Sequence, residues 1–224
     1  VFEEAMRAGA NAAWDKNWGG AIAAYQRALA EFPSDVNALI SLGLAHYNAG
    51  EFQDALQSYQ RAGELSPDDP VIYERMGRTR ERLSQGRAAA EDYLASAERY
   101  LSQQQASDLA LERWQDAVRV WPDCLPAHTK LLGYYQRHRQ TRKAVEECLV
   151  LARIYSAQGK NDYAVQACQY ALKLAPHDPE VLTALDSLRY GEREAAGPDT
   201  EVLEEKAELV IAAEEPEGSS ALDF

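Results

Sequence analysis

Residues 36–69 read VNALISLGLAHYNAGEFQDALQSYQRAGELSPDD, residues 2–35 read FEEAMRAGANAAWDKNWGGAIAAYQRALAEFPSD, and the two stretches align without a gap at a spacing of 34. Gly9 falls on Gly43, Ala21 on Ala55, Tyr25 on Tyr59, Ala28 on Ala62 and Pro33 on Pro67. Self-similarity at a fixed period of this size marks a repeat architecture, in which each unit buries its apolar face against the next. The recurring residues have steric roles in a pair of antiparallel helices. Gly9 and Gly43 in first helices face Ala21 and Ala55 in second helices, where a larger residue would force the axes apart, and Tyr25 and Tyr59 fill the wider gap nearby. Gly50 ends a first helix by admitting a positive φ. Pro33 and Pro67 follow the second helix, where the chain turns, and Ser34-Asp35 and Asp68-Asp69 can cap the helix that comes next.

Gly9, Ala21, Tyr25, Ala28 and Pro33, like Leu42, Gly43, Ala55, Tyr59, Ala62 and Pro67, closely resemble the tetratricopeptide signature L-G…A-x3-F/Y…A…P. That resemblance implies an all-α, right-handed solenoid of antiparallel helix pairs, with first helices lining a concave surface along which ligand peptides lie.

Beyond residue 69 the spacing changes. Residues 70–123 align with 125–177 at an offset of 55, which falls to 54 near Gln104. Met76 meets Leu131, Ala89 meets Ala144, Tyr93 meets Cys148 and Tyr100 meets Tyr155; then Ala110 meets Ala164, Trp114 meets Cys168, Ala117 meets Ala171 and Pro122 meets Pro176. The unit has grown to three helices. Its middle member, about 88–103 and 142–157, carries a second-helix pattern toward the helix before it and a first-helix pattern toward the helix after it. The expected organisation is a helical repeat domain over 1–191, made of repeats 2–35 and 36–69, three-helix units 70–124 and 125–178, and a capping helix 179–190, about eleven helices in all. The other reading is that ordinary repeats have drifted.

The formal net charge of -13 is unevenly spread. Residues 192–224 hold eleven acidic and two basic side chains, and no aromatic residue until Phe224. Such a segment cannot repay its ordering entropy alone and is expected to be a disordered acidic tail. Within it, Val202, Leu203, Leu209, Val210 and Ile211 mark 200–214 as a stretch that could form a short helix against a partner; a plain linker is the other reading. Neither tail nor body offers the positive charge that nucleic acid requires. A mean hydropathy of -0.47 and the lack of a run of ~18 apolar residues speak against membrane insertion. Cys124, Cys148 and Cys168 are odd in number and lack CxxC spacing, which points to a reducing, cytoplasmic setting. No signal peptide opens the chain, although Val1 in place of methionine leaves a trimmed start possible.

Transferring the family's concave face by alignment brings Met6, Ala10, Ala13 and Trp14 beside Ile40, Ser41, Leu44, Tyr47 and Asn48, and then Glu74, Arg75, Arg78 and Arg82. The face would run from apolar to basic. The arginines lie three and four residues apart, hence on one side of a helix. They suit a protein or peptide partner with an apolar anchor and acidic residues; the opposing reading pairs Arg75 and Arg78 with Glu74 and Glu81 on a solvated face. Aligning the positions with which some family members grip a C-terminal carboxylate gives Met6, Ala10, Ser41, Val71 and Arg75, of which only Arg75 keeps the chemistry, so no chaperone clamp is expected. Contact between this face and residues 200–214 of the same chain is a further possibility.

No catalytic site, cofactor or metal is expected. His46, His128, His138 and His177 are scattered without a carboxylate or second histidine at i+4 and read as surface or half-buried residues; no G-x-S-x-G or phosphate-binding glycine loop occurs. The expected function is a protein interaction scaffold or adaptor. The alternative is a docking or regulatory module of a larger enzyme or transcription regulator, subject to autoinhibition by the acidic tail.

Overall fold

The computed structural model describes residues 1–103 and 107–196, with side chains through Arg189. Among these residues the chain is all-helical, with eleven helices and no strand, as the repeat pattern requires. The helices are α1 (Phe2–Trp14), α2 (Trp18–Glu31), α3 (Val36–Ala49), α4 (Phe52–Leu65), α5 (Pro70–Arg82), α6 (Gly86–Ser102), α7 (Ser107–Val120), α8 (Leu125–Arg137), α9 (Thr141–Ala157), α10 (Asn161–Leu174) and α11 (Pro179–Ala196). The last runs six residues past the expected end at 190. Residues 197–224, with the 200–214 stretch, lie outside the described residues.

Two kinds of connection recur among the described residues. Where a helix folds back on its predecessor, one residue takes a left-handed backbone: Lys16 between α1 and α2, Gly50 between α3 and α4, Ser84 between α5 and α6, Arg139 between α8 and α9, and Gly159 between α9 and α10. The second kind follows a hairpin. Here a proline is flanked by residues that close a tight turn, with Asp35 N–H donating to Phe32 O (3.2 Å), Asp69 to Ser66 (3.4 Å), Cys124 to Trp121 (3.0 Å) and Asp178 to Ala175 (3.3 Å). The three aspartates then cap the following helix, Asp35 accepting from Ala38 N–H at 2.7 Å, Asp69 from Val71 at 2.9 Å and Asp178 from Val181 at 3.1 Å. Each such cap is worth about 1 kcal/mol.

The chain divides into two compact units, Val1–Ala127 and the residues from His128 onward. In the first, Ala21, Ala38, Leu39, Ala55, Tyr59, Ala62 and Ile72 belong to one buried core cluster along α2 to α5, and burying a side chain such as Leu39 contributes roughly 1.5–3 kcal/mol. At Gly9, Gly43 and Gly77 the nearest atoms belong to a tyrosine of the following helix. A Cβ on Gly9, Gly43 or Gly77 would stand 2.5, 2.6 or 2.9 Å from Cε1 of Tyr25, Tyr59 or Tyr93 respectively. The ring occupies the room a side chain would need, and that close contact sets the helix separation. Gly77 and Tyr93 continue the 34-residue spacing into α5 and α6. Helix α6 also packs on α7 as extensively as on α5, whereas α2 and α4 meet the helix after them more sparsely. In the second unit α9 packs broadly on α10, and α10 carries α11.

Candidate functional site

The ten residues expected on the binding face stand on α1, α3 and α5, all in the first unit. None is fully buried. Met6, Ile40, Ser41, Tyr47 and Arg75 are half-buried, and Trp14, Leu44, Asn48, Arg78 and Arg82 are exposed or partly so. Met6, Ile40 and Tyr47 rest on the core cluster. Leu44, one residue past the glycine that Tyr59 covers, leaves 44% of its surface in solvent, and Trp14 at the end of α1 leaves 89%. The Asn48 side chain is turned back on its own helix and donates to Leu44 O at 2.8 Å. Ser41 hydrogen-bonds the Tyr25 hydroxyl; burial raises the pKa of that phenol and the serine opposes the shift.

The three arginines have different surroundings. Arg78 reaches Glu74 at 2.7 Å, one turn back on α5, with its own side chain largely in solvent. Arg82 lies over the Phe52 ring, 4.5 Å from its centroid, and 5.9 Å from that of Tyr47; the two rings meet edge to face. Arg75 stands 6.0 Å from the Tyr59 ring centroid, and its Nη1 atom is buried with no hydrogen-bond partner. Burial raises the Tyr59 hydroxyl, and the Arg75 charge and a hydrogen bond between the two side chains pull it back, so it is the Nη1 atom alone, not the whole guanidinium, that lacks a partner. Of the pairings weighed from sequence, Glu74 does take Arg78, but Glu81 takes Arg119 at 2.8 Å on both oxygens and a bond from the Tyr93 hydroxyl.

This network was not legible in the sequence. Arg113 of α7 is buried and reaches Glu74 at 2.8 Å and Asp116 at 3.1 Å, and Arg119 reaches Asp116 at 2.9 Å, so α5 and α7 are joined by a chain of guanidiniums and carboxylates. The Arg119 bonds hold the Glu81 carboxyl below its usual range.

Two of the four histidines are buried, contrary to expectation, and each meets a glutamate: His46 Nδ1 lies 2.6 Å from Glu51 and His128 Nδ1 2.6 Å from Glu147. The Gly50 turn also brings up Asp54, so that donor atoms of His46, Glu51 and Asp54 lie within 4.8 Å of one another, close enough to share an ion. The two carboxylates are exposed, and the short His46–Glu51 bond ties the end of α3 to the start of α4. All three cysteines are buried and unpaired.

The second unit carries an open groove of about 470 Å³ between α9 and α11, lined by Leu149, Ala152, Arg153 and Ser156 on one side and Ala184 and Leu188 on the other. The sequence signal was present, since Leu149, Ala152, Arg153 and Ser156 fall at three- and four-residue steps on α9.

Residues 7–70 match the profile of the tetratricopeptide repeat family, the same two hairpins whose glycines and tyrosines interlock. Residues 7–70 therefore carry tetratricopeptide repeats. It is also 30% identical over 161 residues, 72% of its length, to the human protein O-mannosyl-transferase TMTC1, of which it spans 14%. Among solved structures it is similar to the TPR2B-domain:pHsp70-complex of yeast Sti1 (21% identity, 53% of this chain and 94% of that one, TM-score 0.49). It is also similar to the Sgt2 TPR domain from Aspergillus fumigatus (19%, 53% and 76%, 0.46) and to MamA (18%, 90% and 98%, 0.42). Repeats of this family generally act as protein interaction scaffolds, through surfaces formed by successive units. No helix among the described residues is long and apolar enough to cross a membrane.

Proposed function

We propose that the face built from α1, α3 and α5 binds a protein or an extended peptide whose apolar side chain meets Leu44, Ile40 and Tyr47 and whose carboxylate meets Arg75. The observation that carries this reading is the buried, unpartnered Nη1 of Arg75 beside a half-exposed apolar strip. A buried donor without a partner costs about 1–3 kcal/mol, and a carboxylate supplies two acceptors in the geometry a guanidinium favours. Arg78 and Arg82 would add charge at the rim. Segments 70–124 and 125–178 act in this reading as three-helix units that extend the scaffold, and the unpaired cysteines suit a reducing compartment such as the cytoplasm.

The test is a library of terminally blocked peptides carrying one apolar residue and either a glutamate or a glutamine near it, screened against the full chain. Peptides that bind should lose at least tenfold in affinity with Leu44→Glu, with Arg75→Ala and with glutamine in place of glutamate, and should be untouched by Gln60→Ala on the neighbouring helix. Equal binding by wild type and Leu44→Glu would remove the site.

A second reading is favoured by the likeness to protein O-mannosyl-transferase TMTC1: the repeats serve as a docking module of a larger enzyme. Immunodetection of a native polypeptide much larger than 24.9 kDa would support it, and a native mass near that value would overturn it.

A further inference from the structure

We propose that residues 200–214 of this chain dock in the groove between α9 and α11, placing Leu203, Ala207 and Val210 along its apolar floor. Small side chains at Ala152 and Ala184 leave the groove open, Leu149 and Leu188 make it apolar, and Arg153 edges it. At about 470 Å³ it falls within the ~300–1,000 Å³ range of sites that hold a ligand.

Three observations select this occupant. First, the segment has the matching pattern: Leu203, Ala207 and Val210 are spaced i, i+4, i+7, flanked by Val202 and Leu209, while Glu204, Glu205 and Glu208 fall between them. Second, the reach suffices. Helix α11 carries the chain about 12 Å past Leu188 at 1.5 Å per residue before ending at Ala196. Gly197-Pro198 is a sequence that stops a helix, and residues 197–200 span about 13 Å when extended, enough to come back to the groove's near end. Third, the charges select this unit. Residues 128–189 hold nine basic and six acidic side chains, against twelve basic and nineteen acidic in 1–127, so the eleven acidic and two basic side chains of 192–224 are attracted by the second unit and repelled by the first. On α5, moreover, Arg78 is already paired with Glu74. Tethering raises the local concentration of the segment to ~mM, so a weak contact is held closed much of the time. This site is separate from the α1, α3 and α5 face, and the two stand or fall independently.

Amide hydrogen exchange on the full chain, wild type against Leu203→Glu/Val210→Glu, tests the proposal. Amides of 149–157 and 184–188 should exchange at least fivefold faster in the variant. A synthetic peptide of residues 198–216 added to the variant should restore their protection, and 1 M salt should weaken it. The substitutions lie outside α1 to α11, so loss of fold does not confound the readout. Unchanged exchange in the groove would overturn the proposal. So would protection that moves to α3 and α5, or protection that rises with protein concentration, which would place the segment in a second copy.

Discussion

The Tyr59 ring occupies the space in which a Cβ on Gly43 would stand, with Cε1 2.6 Å from that position. The ring is held between helices and cannot swing aside, so Gly43→Ala should cost about 1–3 kcal/mol through overpacking, only partly offset by the better helix propensity of alanine. At Gly133 in α8 a Cβ would have no neighbouring atom within 4 Å, and there alanine should stabilise by up to about 1 kcal/mol. Melting curves of the two variants should move in opposite directions; a shift of the same sign would mean that Tyr59 does not fix the spacing.

Lys16, Ser84 and Arg139 hold φ values of 58°, 58° and 55°, the conformation that Gly50 and Gly159 adopt freely at the equivalent turns. A left-handed backbone at a residue bearing a Cβ costs about 1–2 kcal/mol. Ser84→Gly should therefore raise stability by about 0.5–1 kcal/mol after the added entropy of the unfolded chain is counted, visible as a higher denaturation midpoint, and Gly50→Ser should lower it.

Asp92 is buried beside Arg80, whose Nη1 donates to it at 2.5 Å, and its other oxygen has no partner. Burial, opposed by the Arg80 charge, pushes the carboxyl up to about 7 from 3.8. The folded state thus binds this proton more tightly than the unfolded state. Its contribution is fully present below about pH 4 and is lost as pH rises through 7. Compared with Asp92→Asn, whose side chain stays neutral, wild type should gain in melting temperature as pH falls from 8 to 5. A difference that stays constant over that interval would show that Asp92 is ionised throughout.

Burial pushes the Cys148 thiol up to about 12, with Cys168 and Glu147 adding to the effect, and burial raises Cys124 and Cys168 as well. Thiolate is the reactive form. At pH 8 a thiol reagent should leave the native chain essentially unmodified and titrate three groups in denaturant; a fast native reaction would mean that one of these sites opens readily.

How much of this the sequence held depends on whether a role rests on one residue or two. Gly50 as a helix stop, Asp35 and Asp69 as caps and the proline turns are local rules, and each is found where it was read. Spacing marked Gly9 and Gly43 as points of close approach but could not show that the ring atoms of Tyr25 and Tyr59 come nearest to them, because it does not say how far a side chain reaches. At the offset of 55, Leu132 and Cys148 stand in the registers of Gly77 and Tyr93, and both are buried. There the large residue stands on the first helix and the small one on the second, which is why the motif fades. On the candidate face, alternation of apolar and basic side chains marked the strip. It could not show that Arg113 and Arg119 come from α7 to take Glu74 and Glu81, since pairs 38 or 39 residues apart obey no helical spacing.

The equal packing of α6 on α5 and on α7 limits how this chain can be edited. A plain two-helix hairpin such as 36–69 is a cassette: it can be cut out or copied, and its neighbours rejoin across the gap through turns of the same kind. A helix clasped from two sides has no such freedom, because excising it strips the cover from two partners at once. Lineages that lengthen or shorten this scaffold are therefore expected to do so near its amino-terminal end and to keep the stretch from Pro70 to Cys124 as one indivisible block.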